Sequence, residues 1–298
     1  MHRDRHNLYW CNPSEVAEWQ KKTDVVMLPV GSMEQHGQHV PISCDCLSTE
    51  WVTEQMAIGA DVPYYPQLYF GYTPYHMWPA GVPKGSTTMR YTTYINLVYD
   101  LCRSLIHNGW NKILIPTGHT GNLWPLDTAM RRVRAETGAF VASLRVESEI
   151  FQIIKPLNAM FKDPPEKFPW KHAAEAETSA VLMYDEDLVD RSKYAEGIPH
   201  NPGWLPDVFS MGDGVPSQVH FRDYSRLNQG SLIRTPMWFH EFTEGGPGHA
   251  GSPYNASKEQ GEKLYGRLVE IFVDMIKEIK EMKIEPSNRD FSQEMTSW

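Results

Sequence analysis

Cations are in short supply in this chain. Lysine and arginine total 28 against 37 aspartates and glutamates, for a formal net charge of -9. The basic residues are scattered, and the one local group, "RRVR" at 131–134, lies in a helical pattern and reads as a solvated face. A nucleic-acid partner, which calls for a basic surface, is not expected. Cysteine is scarce too. Four thiols, at Cys11, Cys44, Cys46 and Cys102, are too few to staple 298 residues, so reduced thiols in a cytoplasmic protein are the simpler expectation. No run approaches the roughly 18 consecutive apolar residues that cross a bilayer. The opening "MHRDRHNLYW" lacks the apolar centre of a signal peptide, and no internal repeat is visible.

What is present is an ordinary globular composition, 41% in the hydrophobic set and 22% charged, enough to bury a substantial core. "NPSEVAEWQKK" opens as a helix, with Asn12 to cap it, Pro13 at its first position and Glu15 to close a capping box. "DVVMLPVG", "NKILIPTG" and "AFVASLRV" read as buried strands. Between and after them, "LSTEWVTEQMAIGA", "YTTYINLVYDLCRSLIHNG" and "LWPLDTAMRRVRAETG" carry helical spacing and stop near glycine. Alternating strands and helices predict a layered α/β/α fold around a mostly parallel central sheet. Residues 1–298 read as one domain, with an irregular stretch rich in proline and aromatics over about 185–253. A long helix follows from "NASKEQGEKL", capped by Asn255 or Ser257, and the tail "EPSNRDFSQEMTSW" reads as loose.

In a parallel sheet, ligands gather beyond the carboxyl ends of the strands. Two such places are rich in glycine and histidine: "GSMEQHGQHVPISCD" at 31–45 and "TGHTGN" at 117–122. Glu34 and His36 are two apart and point to the same side of an extended segment. Asp45 can reach back to the same point, and His119 follows the second strand. "HAAEAETS" at 172–179 offers a fifth ligand in Glu175 or Glu177. Mixed imidazole and carboxylate ligands suit zinc, manganese or iron in a catalytic site better than a closed structural one. Cys44 and Cys46 flank Asp45, but strand-like alternation would turn them away from the side it faces. His39 and His76 can orient ligands or simply fill the core.

These segments carry a resemblance. "LPVGSMEQHGQHVPISCD" is similar to the signature of the creatininase (creatinine amidohydrolase) family. "PTGHTGN" resembles that family's second motif, "HAAEAETS" its third, "YTPYH" and "PKGSTTM" its middle loop, and "GSPYNASKEQGEKL" its closing segment. The resemblance implies a layered α/β fold and a site for two divalent cations. It makes Glu34, His36, Asp45 and His119 metal ligands, with Asp45 the bridge. Creatininase itself has a glutamate ligand two residues after the second-motif histidine, where this chain has Gly121. Relatives with glycine there carry the glutamate in the third motif, which makes Glu175 the expected fifth ligand. Glu177 is the reserve for that role and otherwise joins His172 as catalytic. His172 heads the third motif and is expected to pass a proton to the leaving group.

The expected activity is a metal-dependent hydrolase that opens a small cyclic amide or related C–N bond with a water activated by the cations. Hydrolytic C–C cleavage of a cyclic polyol diketone, of the 3-dehydro-scyllo-inosose type, is the alternative, and a non-catalytic metal-binding scaffold is a third. "GHTGN" is not the G-x-S-x-G elbow of serine hydrolases. Tyr72, Tyr75, Trp78, Trp124, Trp170 and Trp204 with only Lys84, Lys171 and Arg222 nearby point to an uncharged small-molecule ring rather than a phosphorylated substrate. By the same resemblance the chain is expected to form a homo-oligomer, a hexamer.

Overall fold

A computed structural model describes residues 5–77, 84–164, 167–197, 204, 209–211, 218–221, 233–234, 248–292 and 296. Asn12 starts the first helix, α1 (Pro13–Lys22), as its sequence predicts. Its side chain accepts from the N–H groups of Ser14 and Glu15, and Glu15 accepts the N–H of Asn12. In chain order there follow β1 (Val25–Met27), α2 (Cys44–Ala60), α3 (Tyr91–His107), β2 (Lys112–Thr117), α4 (Leu123–Thr137) and β3 (Phe140–Arg145). Two single turns come next, α5 (Ile150–Ile153) and α6 (Lys155–Asn158), and then α7 (Glu175–Tyr184). Three short strands, β4 (Phe209–Met211), β5 (Gln218–Phe221) and β6 (Ile233–Arg234), precede the last helix, α8 (Lys258–Glu281).

The strands β1, β2 and β3 form a parallel sheet in that order. Past Met27 the chain stays beside β2, with Leu28 donating to the carbonyl of Leu114 and Val30 to that of Pro116. Pro29 lacks an N–H and cuts the regular ladder short, although the apolar run stays buried. Neighbouring residues along β1 face opposite ways, and both ways are apolar. Val25, Met27, Leu114 and Leu144 join a core with α2, α7 and α8, whereas Val26, Leu28, Ile113, Ile115 and Val141 join another with α3 and α4. That is the sandwiched parallel sheet predicted from sequence, and it explains why these strands show no polar alternation.

Three expectations change. The region 185–253 is not wholly irregular, because β4, β5 and β6 pair antiparallel as a small separate sheet. The second helix begins at Cys44 rather than Leu47, which places Asp45 in its first turn. Much of the tail is fastened rather than loose. Ser287 donates its N–H to the Thr137 carbonyl, Arg103 donates to the carbonyl of Asp290 and Arg289 to that of Ile106, and Phe291 is buried against Tyr99. The "RRVR" group is the solvated face expected, with Arg131 and Arg132 paired to Asp127 and Glu136 on exposed helix surface. Among the described residues no helix is long and apolar enough to cross a membrane.

Candidate metal centre

The carboxyl ends of β1 and β2 meet the amino ends of α2 and α7, and four of the expected ligands converge there. Glu34 and His36 lie on the segment leaving β1, Asp45 in the first turn of α2 and His119 just past β2. Gly37 makes the turn after His36 with φ of +67°, and a Cβ there would stand 2.7 Å from His249 Nδ1. Asp45 sits between two imidazoles: its Oδ1 is 3.2 Å from His36 Nε2 and its Oδ2 is 3.1 Å from His119 Nδ1. Glu34 Oε2 is 3.2 Å from the same His119 nitrogen. All four side chains are buried.

The fifth position is a correction. Glu175 does not reach this cluster, because its carboxylate accepts the backbone N–H groups of Lys162 and Asp163 at 3.0 and 2.8 Å. Glu177 comes to the site instead, with Oε2 3.4 Å from His36 Nε2. In the helical first turn of α7, two residues turn a side chain by about 200°, so these two glutamates face nearly opposite ways. Glu177 is held on both oxygens, by the Ser148 hydroxyl at 2.7 Å and the Ala173 N–H at 2.6 Å. Ala173 adopts φ of +55°, a left-handed conformation costing about 1 kcal/mol or more for a residue with a Cβ. This bend lets the backbone turn between His172 and Glu177.

The orientation of the two histidines is the most informative detail. His36 Nδ1 lies 3.1 Å from the carbonyl of Glu34, two residues before it, and His119 Nε2 lies 3.1 Å from the carbonyl of Tyr72. In each ring the outer nitrogen donates to backbone, and the inner one is aimed at carboxylates. Hydrogen bonds of this kind orient imidazoles that ligate metals. His36 Nε2 and Asp45 Oδ2 are deeply buried without a well-formed hydrogen bond. Buried polar atoms are normally satisfied, and divalent cations between these groups would satisfy both. The donor set therefore fits the cations the sequence implied.

Electrostatics agree. Burial raises Glu34 to about 7 against the pull of His119. Burial would raise Asp45 as well, but His36 and His119 hold it well below the ordinary carboxylate range. Burial would lower His119, yet Glu34 and Asp45 lift it to about 9. Protons thus sit on the imidazoles where cations would neutralise the carboxylates. His172 is different: burial, with His36 and His76 nearby, keeps it neutral. Its ring stacks on His36 at 4.0 Å and on His76 at 4.6 Å, its Nε2 donates to the Gln35 carbonyl at 2.6 Å, and its Nδ1 is 3.4 Å from Glu34 Oε1.

Several supporting residues escaped the sequence reading. Thr73 donates its hydroxyl to Glu34, Ser148 to Glu177, and Thr120 to Glu149, which burial raises to about 7. Ser148 and Glu149 lie just past the third strand, where the rule of carboxyl ends would have found them. Of the expected pocket aromatics, Tyr72, Tyr75 and Trp124 form a chain of edge-to-face contacts beside His119. Trp170 is buried against Phe161, Trp204 is exposed, and Lys171 lies over the Phe168 ring. Trp78 and Arg222 lie outside the described residues. His39 is a structural histidine, its Nε2 shared between the Ala173 carbonyl and the Thr178 hydroxyl.

A family model described as creatinine amidohydrolase matches residues 10–276. The chain belongs to the creatininase family. Among proteins of that family, the creatinine amidohydrolase of Pseudomonas putida is 29% identical over 273 residues, covering 85% of this chain and 89% of its own. The 3-dehydro-scyllo-inosose hydrolase of Thermotoga maritima is 22% identical over 277 residues, covering 90% and 81%. A crystal structure of creatininase superposes with a TM-score of 0.67 at 23% identity, over 93% of this chain and 98% of that one. Two other creatininase structures, a mutant of Zn-Zn type and a Mn form, each reach 0.67 at 24% identity, over 94% and 93% of this chain and 100% and 99% of theirs. The creatininase fold and a metal-dependent hydrolase are thus established for this chain, with the substrate left to its own residues.

Proposed function

We propose that the centre holds two divalent cations, one among Glu34, Asp45 and His119 and the other among Asp45, His36 and Glu177, and hydrolyses a C–N bond in a small uncharged ring such as a cyclic amide. The carrying observation is the paired imidazoles, each fixed by a backbone carbonyl on its outer nitrogen and aimed inward at the shared Asp45. Zinc, manganese and iron all suit this donor set by their ligand chemistry, and creatininase itself is known in Zn-Zn and Mn forms. Cations bound there supply an activated water and a polarised carbonyl at neutral pH.

The rest of the chemistry falls to the chain. Asp45 holds the two halves of the site in register, and Glu34 keeps Oε1 toward His172 while Oε2 faces His119. His172, neutral and fixed through Nε2 by the Gln35 carbonyl, turns Nδ1 toward Glu34 Oε1 at the centre, placed to take a proton and deliver it to the leaving nitrogen. The Tyr72–Tyr75–Trp124 wall offers an aromatic surface for a flat ring. The first test is metal content by elemental analysis. Two equivalents in the wild type, a loss in Glu177→Gln and retention in Glu175→Gln support the site as drawn, and a wild type that binds no divalent cation overturns it.

Gly121 favours a second reading. A Cβ there would stand 2.4 Å from both His119 Nε2 and the Tyr72 carbonyl oxygen. The glutamate that creatininase carries at this place has no room, so creatinine itself is not the proposed substrate. The similarity to a 3-dehydro-scyllo-inosose hydrolase supports a cyclic polyol ketone as the rival substrate; the rival reaction we infer is hydrolytic C–C cleavage, with an enolate leaving in place of an amine. Activity on an inosose derivative and none on lactams or formamides would select it.

A further inference from the structure

We infer that Cys44 is a sulfur ligand to the second cation, completing a His36–Cys44–Glu177 face; this rests on the two-cation reading. The sequence argued against it on the ground that alternation turns Cys44 away from Asp45. Alternation does not apply, because Cys44 opens α2 and both residues lie in a helical first turn. Cys44 Sγ, a nitrogen of His36 and a carboxylate oxygen of Glu177 all lie within 4.8 Å of one another, and all three side chains are buried. Donor atoms bound to one zinc at about 2.0–2.3 Å stand roughly 3 to 4.5 Å apart, so small side-chain movements suffice. The sulfur makes a weak hydrogen bond of 3.8 Å to the Glu177 carbonyl.

A cysteine alone would carry little. The independent observation is His36 Nε2, a deeply buried nitrogen with no well-formed hydrogen bond, lying in the same group. Cys46 supplies the internal contrast. Two residues further round the helix, its thiol points to the carbonyls of Ser32 and Tyr69, away from the centre. Burial and the carboxylates around it keep the Cys44 thiol protonated in the cation-free protein, and cation binding would displace that proton to solvent as the sulfur–metal bond forms. A thiolate also makes this half of the site softer than the Glu34–Asp45–His119 half. The second position is then selective for zinc or cobalt(II) over manganese.

The test is cobalt(II) substitution of the full chain, with metal content and the near-ultraviolet spectrum read together. Cobalt bound by thiolate shows a sulfur-to-metal charge-transfer band that oxygen and nitrogen ligands do not produce. Wild type and Cys46→Ser are expected to show it, and Cys44→Ser to lose it while still binding cobalt. Two bound equivalents with no band in the wild type, or a band that survives in Cys44→Ser, overturns the assignment and leaves the two-cation site standing. If no cobalt binds, the two-cation reading fails and this one with it. Should Cys44→Ser not fold, X-ray absorption of the wild-type zinc protein decides, through the presence or absence of a sulfur neighbour at about 2.3 Å.

Discussion

At the residue scale, the two inward imidazoles carry a consequence for pH. His119 is lifted to about 9 by Glu34 and Asp45 once burial is overcome, so in the cation-free protein a proton occupies Nδ1 throughout the neutral range. A cation must displace it. Metal affinity should therefore rise with pH up to about 9, by about tenfold per pH unit for each proton displaced. Calorimetric titration in buffers of different ionisation enthalpy counts those protons, and an affinity flat between pH 6 and 9 would refute the assignment. The sign is opposite for the stability of the cation-free fold. A raised histidine contributes fully below its ordinary value near 6.5, and that contribution is lost as pH climbs through about 9. His172 lies on the other side of the balance, kept neutral by burial. His172→Gln should lower turnover roughly 10²–10⁴-fold with metal content unchanged. Metal lost along with activity would make it a ligand instead.

At the element scale, the fold is fastened at the end of the sheet away from the centre. Buried Lys112, at the start of β2, pairs with Asp24 at 2.9 Å and donates to the Lys280 carbonyl at the end of α8. Lys280 in turn donates to the Ala60 carbonyl, at the end of α2. These cations at helix carboxyl ends oppose the local dipole. Lys112→Met should cost about 2–3 kcal/mol, read from chemical denaturation, because it leaves carbonyl and carboxylate partners unmet. The tail is a second fastening. Phe291→Ala should cost about 3 kcal/mol, where a loose tail would cost almost nothing. In either variant, metal content in the native state should stay as it is in wild type.

At the scale of the whole molecule, the centre joins elements that are far apart in sequence. Residues 34, 45, 119 and 177 come from both ends of the sheet's connections, and none can bind as drawn unless β1, β2, α2 and α7 are assembled. Cations that bind only the native state add about 2.7 kcal/mol at a free concentration one hundred times Kd. Chelation should accordingly lower the melting temperature by several degrees, with recovery on adding zinc. A melting curve indifferent to chelator and to zinc would mean that cations do not bridge these elements.

The layered fold was readable from the sequence, as were four of the residues that converge at the candidate centre. Buried parallel strands are continuous apolar runs, glycine and asparagine mark helix ends, and Glu34, His36 and His119 lie where strands give way to turns, with Asp45 close behind in the same motif. Local rules suffice for these because they depend on neighbours in the chain. The choice between Glu175 and Glu177 could not be read that way. Both lie in one short motif, and the start of α7, set by the left-handed bend at Ala173 and by Ser148 reaching across, determines which faces His36. The same holds for Cys44, whose direction changed once α2 began three residues earlier than its apolar pattern suggests. Residue type and order determined the elements and the donor atoms available. Only packing, which sets the rotation of each helix against the sheet, decided which donors meet.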